Sequence, residues 1–244
     1  YIRAIATYQD QWNTTTETAT ASTAGTVVVG AIAPVASNDS VSATEMGGTA
    51  NGTGTSTVTG NLLTNDTDYN NDISRIDSVR LGSTEGLGVP ATVENSTMVI
   101  VGQYGTLTVE SDGDYSYQVN NSNATVQALT STSTPLQDSF NYTVLDSTNL
   151  SDRGVLTVSI NGANDAPVAV NITGSATEAG GIANATGGTD ATGNVLTGAS
   201  DVDTGAALTV TEVRTGGTEG AGTGGTIGLA LTGTYGTLTL NSNG

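Results

Sequence analysis

Asn161-Gly162-Ala163-Asn164-Asp165-Ala166-Pro167-Val168-Ala169-Val170 is the stretch that decides how this chain is organised. Gly162 interrupts what precedes it, Pro167 fixes one φ angle, and the residue before Pro167 is pushed toward extended geometry. Such a segment reads as a stiff connector between two β-domains. Its surroundings repeat, because Ala33-Pro34-Val35-Ala36 opens the segment before it and Ala166-Pro167-Val168-Ala169 the segment after it.

The residues beyond the connector can be laid on those before it. Ala43-Thr44-Glu45 returns as Ala176-Thr177-Glu178, and Gly60-Asn61-Leu62-Leu63-Thr64 as Gly193-Asn194-Val195-Leu196-Thr197. Asp66-Thr67-Asp68 is matched to Asp201-Val202-Asp203, and Val79-Arg80 with Thr84-Glu85-Gly86 to Val213-Arg214 with Thr218-Glu219-Gly220. Tyr104-Gly105-Thr106-Leu107-Thr108-Val109 returns as Tyr235-Gly236-Thr237-Leu238-Thr239-Leu240. Matches in one order at nearly constant offset mark tandem units. The expected division is residues 1–32 as the closing hairpin of a preceding domain, 33–164 as a complete repeat, and 165–244 as a second, truncated repeat. Asn241-Ser242-Asn243-Gly244 matches the middle of the first unit (Glu110-Ser111-Asp112-Gly113), so both ends read as cuts through a longer protein.

Composition bounds the chemistry. Only 36% of the 244 residues are hydrophobic and 4% aromatic, so each core must be thin and built from Val, Ile, Leu and Ala, as in two-layer sheet packing. The formal net charge is −18, with 23 acidic residues against five arginines and no histidine. Such a surface repels nucleic-acid phosphates and anionic membranes and attracts cations. The chain has no cysteine, hence no disulfide and no thiolate metal site. No run of about 18 apolar residues is available to span a membrane.

Strand patterns run throughout. Tyr1 to Tyr8 reads as a buried strand, Asp10 to Asn13 as a turn and Thr14 to Val29 as the returning strand. Met98-Val99-Ile100-Val101 is a continuous apolar run. Gly105 to Glu110 alternates and turns at Ser111-Asp112-Gly113-Asp114 into Tyr115-Ser116-Tyr117-Gln118-Val119, a strong hairpin signal. Ala124 to Leu129 fits one helical turn. Phe140 to Val144 and Val155 to Ile160 alternate, with Asp146 to Gly154 as the bend between them. No long segment has helical period. The expectation is an all-β sandwich with Greek-key-like connections.

The order Gly60-Asn61-Leu62-Leu63-Thr64-Asn65-Asp66-Thr67-Asp68, then Tyr104 to Tyr117, then Val126-Gln127-Ala128-Leu129, then Asp138 to Val144, then Asn161 to Pro167 resembles VCBS repeats. These are cadherin-like, immunoglobulin-like modules of giant bacterial RTX-type surface adhesins. The resemblance covers roughly Val35 to Gly244, and Tyr1 to Val29 is similar to the end of another immunoglobulin-like repeat. It implies tandem immunoglobulin-like/cadherin-like β-sandwich domains that extend and stiffen a secreted, cell-surface stalk, commonly with Ca²⁺ at the joints. The implied role is an extender in an adhesin or surface filament, serving cell adhesion and biofilm. The implied partners are neighbouring repeats of the same chain and a glycan or cell-surface ligand at a distal module.

The residues point to Ca²⁺ independently, because it takes oxygens from carboxylates, Asn side chains and carbonyls. An Asp-x-Asp pair on extended backbone points both carboxylates the same way. Asp201 and Asp203 provide such a pair in the second unit, and Asp66 and Asp68 in the first. Asn164 and Asp165 add oxygens in the connector, Glu178 follows shortly after, and Asp146 and Asp152 lie in a bend that can face the same joint. By analogy with cadherins, Asp146, Asn164, Asp165, Glu178, Asp201 and Asp203 are expected to include ligands of a Ca²⁺ site at the joint. At the first joint, Val29 to Pro34 lacks the Asn-Asp pair, so a site there would draw on Asn38, Asp39 and Glu45. The competing role for Asp66, Asp68, Asp72 and Asp112 is turn chemistry.

No catalytic constellation is present, since the usual bases and nucleophiles His and Cys are missing. Trp12 and Tyr8 could stack on a sugar, but core packing or an interface plug accounts for them better, and Tyr115 with Tyr117 reads as packing. Triplets such as Asn95-Ser96-Thr97 and Asn184-Ala185-Thr186 permit glycosylation without showing it. Two further roles stay open: a glycan-binding module, and a filament or surface-layer subunit that exchanges strands with other copies of itself.

Overall fold

The structure is a computed structural model that describes residues 31–94 and 96–244, together with the backbone of two short strands ahead of them. Those are β1 (Ala6–Tyr8) and β2 (Glu17–Ala19), which pair antiparallel as the expected hairpin. The remainder of that expectation, Trp12 included, lies outside the described residues, as does Asn95.

The first unit is a two-layer β-sandwich. Its strands are β3 (Asp39–Thr44), β4 (Thr57–Asn61), β5 (Ile73–Leu81), β6 (Thr92–Glu94), β7 (Thr97–Val101), β8 (Gly105–Glu110) and β9 (Asp114–Val119). The short helix α1 (Ala124–Gln127) follows, then the long strands β10 (Leu136–Asp146) and β11 (Ser151–Asn161). One sheet has the order β3-β11-β10-β5, with β3 parallel to β11; the other runs β4-β9-β8-β7-β6 and is antiparallel throughout. The chain is therefore all-β, with one α-helical turn among the described residues, where Ala124 to Leu129 suggested it. Asn123 caps that turn by accepting from the Thr125 and Val126 N–H groups.

Alternation explains which face is buried. On β8, Leu107 and Val109 point inward; on β9, Tyr115, Tyr117 and Val119 do so. Facing them are Phe140, Tyr142 and Val144 of β10 and Leu156, Val158 and Ile160 of β11, all fully or nearly fully buried. Tyr117 and Phe140 meet across the layers with ring centroids 6.1 Å apart and planes tilted by 60°. The tyrosine pair is packing, as its alternation indicated. The apolar run at Met98 also alternates in space: Met98 and Ile100 are buried, while Val99 and Val101 are exposed. The bend between the last two strands is shorter than expected, because β11 begins at Ser151. Asp146 makes that possible by taking the Thr148 and Leu150 N–H groups on Oδ1, each at 2.8 Å, which closes the turn early.

Two glycines are forced by these rings. Gly154 pairs with Tyr142, and a Cβ there would lie 2.5 Å from the Tyr142 hydroxyl; Gly60 pairs with Tyr115 under the same restriction at 2.6 Å. Each tyrosine lies across the strand where the neighbour has no side chain.

The residues after Pro167 form two small two-stranded sheets, β12 (Val213–Arg214) with β13 (Gly224–Gly225) and β14 (Ala230–Thr232) with β15 (Thr237–Thr239). Local conformations of the first unit recur in them. Leu231↔Leu238 and Thr232↔Thr237 copy the pairs Ile100↔Leu107 and Val101↔Thr106. The turn closed by Gly47 and Thr53 reappears closed by Gly180 and Thr186. Within it Gly48, Ala50 and Asn51 have φ of 75°, 50° and 56°, and Gly181, Ala183 and Asn184 have 77°, 54° and 57°. The packing differs. Leu107 is completely buried, whereas Leu238 is 53% exposed, because strands equivalent to β10 and β11 do not cover it among the described residues.

Candidate metal centres

The sandwich has an upstream end, where β3 starts, and a downstream end, where β11 runs out at Asn161 beside Thr44. Acidic side chains gather at both. The downstream group forms because β3 delivers Glu45 just past its last pair, where the Glu45 N–H donates to the Asn161 carbonyl (3.0 Å). The connector then turns across the same end, with the Gly48 N–H donating to the Asn164 carbonyl (2.8 Å) and the Ala166 N–H to the Gly48 carbonyl (3.2 Å).

Glu45 is fully buried. Its Oε1 accepts from the Ala163 N–H (3.1 Å) and its Oε2 from the Gln127 side-chain amide (3.1 Å). Asp165 is also buried, and its N–H donates to Oδ2 of Asp203, in the second unit, at 2.9 Å. The Asp203 N–H donates in turn to Asp201 Oδ1 at 3.0 Å. Carboxylates from both sides of the connector thus meet. Burial pushes the Glu45 carboxyl up to about 7, with the Asp165 and Asp203 charges adding to the rise. Asp165 is raised for the same reasons, burial first and then the charges of Asp203 and Asp201.

Among the described residues no cationic side chain forms a salt bridge with these groups; the one salt bridge is Arg214 with Glu212, on the second unit. Asp165 Oδ2 and Asp203 Oδ1 are buried without any hydrogen-bond partner. Asn51, held in the turn, brings its carboxamide end within 3.3 Å of Asp165 Oδ1, 3.0 Å of Gln127 Oε1 and 3.1 Å of the Met46 carbonyl. With its nitrogen inward it donates to them; with its oxygen inward only oxygens face one another. Buried oxygens lacking donors, converging without nitrogen or sulfur, are a donor set that fits a hard divalent cation.

The upstream end carries a second group. Asp68, Asp72 and Asp146 each offer an oxygen within 4.8 Å of the others, and Asp146 is fully buried. Asp68 Oδ2 and Asp72 Oδ1 are buried and unpartnered. Beside them, Asp66 Oδ1 accepts from the Ser37 N–H (2.8 Å), Asp152 Oδ2 from the Ala36 N–H (2.9 Å), and Asp39 Oδ2 from the Tyr142 hydroxyl (2.7 Å). Burial raises the Asp66 carboxyl to about 6, with Asp39 and Asp152 contributing.

Several expectations need correction. Asp146 and Asp152 do not face the joint at the connector; they lie at the upstream end, a full β11 length away, because Asp146 ends β10 opposite Ile73. Glu178 is exposed on the loop bridged by Thr177 and Thr189, with no hydrogen bond to the joint, since it copies Glu45 and so belongs to the far end of its own unit. Glu45 itself serves the downstream joint rather than the first. Asp66-Thr67-Asp68 is not the counterpart of Asp201-Val202-Asp203. The bridges Val35↔Thr67 and Val168↔Ser200, and the Asn70 and Asp203 N–H groups donating to Asp68 and Asp201, register Asp68 with Asp201 and leave Ala199 in the place of Asp66. Of the residues named from sequence, the structure brings Asn164, Asp165, Asp201, Asp203 and Glu45 together at one joint, and Asp66, Asp68 and Asp146 at the other end. Asp112 is a turn residue that accepts from the Asp114 N–H (3.3 Å). Asn51 and Gln127 were missed, although the recurrence of Gly47-Gly48-x-Ala50-Asn51 as Gly180-Gly181-x-Ala183-Asn184 was visible.

An all-β sandwich with short caps, carboxylates gathered at its two ends and its polypeptide leaving end-on defines a cadherin-like module. The bacterial cadherin-like domain matches residues 32–162, and the chain belongs to that family. Among curated proteins none matches the chain. Domains of this family are typically non-enzymatic structural or adhesion modules and commonly bind Ca²⁺. No helix among the described residues is long and apolar enough to cross a membrane.

Proposed function

We propose that the chain is an extender segment of a large secreted, cell-surface adhesin or surface filament, built from two consecutive cadherin-like units (33–164 and 165–244) preceded by the end of another (1–32). Ca²⁺ at the joint would draw the facing carboxylates together and brace one unit against the next. The observation that carries this reading is the meeting of Asp165 with Asp203 beside the buried Glu45, with Asp165 Oδ2 and Asp203 Oδ1 buried and lacking donors. Glu45, Asn164, Asp165, Asp201 and Asp203 would hold the ion there, with Asp68, Asp72 and Asp146 the candidates for a site at the upstream end. The ion supplies charge neutralisation and oxygen coordination, and the protein supplies their position. The Gly48–Asn164 and Ala166–Gly48 backbone bonds fix the connector, and the Thr204 N–H, donating to the Ala128 carbonyl (3.0 Å), ties the second unit to the end of α1.

Small-angle scattering on the whole chain tests the proposal. Chelation is expected to loosen the wild-type particle, and Asp165→Ala/Asp203→Ala to resemble the chelated state at any Ca²⁺ concentration. A wild-type profile indifferent to Ca²⁺ sinks the mechanism.

A second reading, a subunit that exchanges strands with other copies, is favoured by the apolar side chains left open on the second unit, including Ile182, Leu229 and Leu238. Fibres whose growth depends on protein concentration would support it, and a strict monomer would count against it. The glycan-binding role finds less support: Tyr69 and Tyr235, exposed aromatics among the described residues, lie in different units and form no common platform.

A further inference from the structure

The turn that follows Glu45 is built to an unusual pattern, and it is built twice. Gly47 and Thr53 exchange backbone hydrogen bonds (2.9 and 3.1 Å), and the Thr53 hydroxyl also donates to the Gly47 carbonyl (2.8 Å). Between them, Ala50 and Asn51 both sit at positive φ, where an L-residue other than Asn or Gly is disfavoured. The same angles recur at Ala183 and Asn184. Such a conformation persists only where the surroundings hold it. Its consequence in the first unit is specific: it delivers the Asn51 carboxamide into the space between Asp165, Gln127 and the Met46 carbonyl.

We infer that Asn51 is a neutral ligand of the joint cation, and that Gln127 is a second one, so that the exit side of the first unit contributes amide and carbonyl oxygens beside the acidic ones. This rests on the cation reading above. The joint is already rich in negative charge, from Glu45, Asp165, Asp201 and Asp203. Further carboxylates would raise the repulsion that the ion must overcome, whereas an amide oxygen adds coordination without charge. Gln127 suits the task because it is tied to the same centre, its Nε2 donating to Glu45 Oε2 while its Oε1 lies 3.0 Å from the Asn51 carboxamide. Asp165, whose Oδ1 lies 3.3 Å from the Asn51 carboxamide, and Asp203, which accepts from the Asp165 N–H, are both more than nine-tenths buried, and each has an unpartnered oxygen. With the ion present, the Asn51 oxygen turns inward; without it, the amide reverses and its nitrogen donates to Asp165 and Met46. The side chain is thereby satisfied in both states. In the second unit, Glu178 and Asn184 repeat Glu45 and Asn51 on an exposed turn.

The test is calorimetric titration of Ca²⁺ into the full chain and into Asn51→Gly, Gln127→Ala and Asp203→Ala. Asn51→Gly keeps the positive-φ turn, since glycine adopts it freely, and Gln127→Ala keeps the helix. Each neutral variant is expected to weaken one Ca²⁺ binding event about tenfold, and Asp203→Ala to weaken the same event more, with other events unchanged. If Asn51→Gly and Gln127→Ala bind as wild type while Asp203→Ala loses a site, the inference falls and the joint cation stands. If Asp203→Ala also changes nothing, or wild type binds no Ca²⁺, both fall.

Discussion

Glu45→Gln should make the metal-free chain more stable at pH 8 than the wild type, and less responsive to Ca²⁺. The Glu45 carboxyl is fully buried and is raised from 4.5 to about 7 by that burial, with Asp165 and Asp203 adding to it. The folded state therefore holds a proton that the unfolded state releases earlier. Its stabilising contribution is complete below about pH 4.5 and is lost as pH rises to about 7. At roughly 1.4 kcal/mol per pH unit, the ionised carboxylate costs the folded wild type about 3 kcal/mol at pH 8 relative to pH 4. Glutamine never ionises. Its Oε1 still accepts from the Ala163 N–H, and the Gln127 amide can reverse to accept from the new nitrogen. Asp66, raised with the same sign, is common to both proteins and cancels. The assay is urea denaturation followed by circular dichroism between pH 4 and 8 in the presence of a chelator, and again with Ca²⁺. The gap between variant and wild type should open through the window from pH 4.5 to 7. With Ca²⁺ it should close or reverse, because a ligand at about 100 times its Kd adds about 2.7 kcal/mol to the form that binds it. Parallel curves for the two proteins across that window, or a variant less stable at pH 8 without Ca²⁺, would refute the reasoning.

Two further outcomes follow from the core. Gly154→Ala places a Cβ 2.5 Å from the Tyr142 hydroxyl, so it should destabilise the first unit by about 1–3 kcal/mol, read from the urea midpoint at unchanged slope. Tyr117→Phe removes a 2.6 Å hydrogen bond to the buried Asp138, whose oxygens keep the Gln103 and Tyr104 N–H groups; a loss of about 1–2 kcal/mol is expected, and a neutral effect would show that those two N–H groups suffice.

The strands were legible because their alternation is local. Leu107 and Val109, or Tyr115 and Tyr117, announce a buried face whatever lies opposite. Partnership was not legible: nothing in the alternation of β3 says that it lies parallel to β11, yet that pairing is what sets Glu45 beside Asn161. The same limit governs the site. Asn164, Asp165, Asp201 and Asp203 could be found because the connector and the Asp-x-Asp pair are short motifs. The sequence alone points Asp146 toward the connector, but a residue in a bend belongs to whichever end its strand reaches, and β10 is longer than its apolar stretch. Side-chain identity is also two residues out of register at Asp66, where Asp-x-Asp in one unit matches Asp-x-Asp in the other. The hydrogen bonds of Asp68 and Asp201 settle that register, which side-chain identity left ambiguous.

The energetics of the joint explain why its charge matters more than its contact. The backbone bonds that cross it, Ala166 to Gly48 and Thr204 to Ala128, contribute about 0.5–1.5 kcal/mol each, as does the Gly48 to Asn164 bond that anchors the connector. Two carboxylates about 4 Å apart at an effective dielectric near 20 repel by about 4 kcal/mol. In the absence of a cation, attraction and repulsion are of similar size, so the connector is held by a small difference and partial protonation of Glu45, whose carboxyl is raised to about 7, relieves it. A divalent ion among the same oxygens turns the repulsion between carboxylates into attraction toward a shared charge, while leaving the backbone bonds in place. Under the proposed function, the stiffness of the segment would be set by the ion supply outside it rather than by its packing. A chain with a net charge of −18 and a thin core would be stiffened in this way without a larger apolar interface.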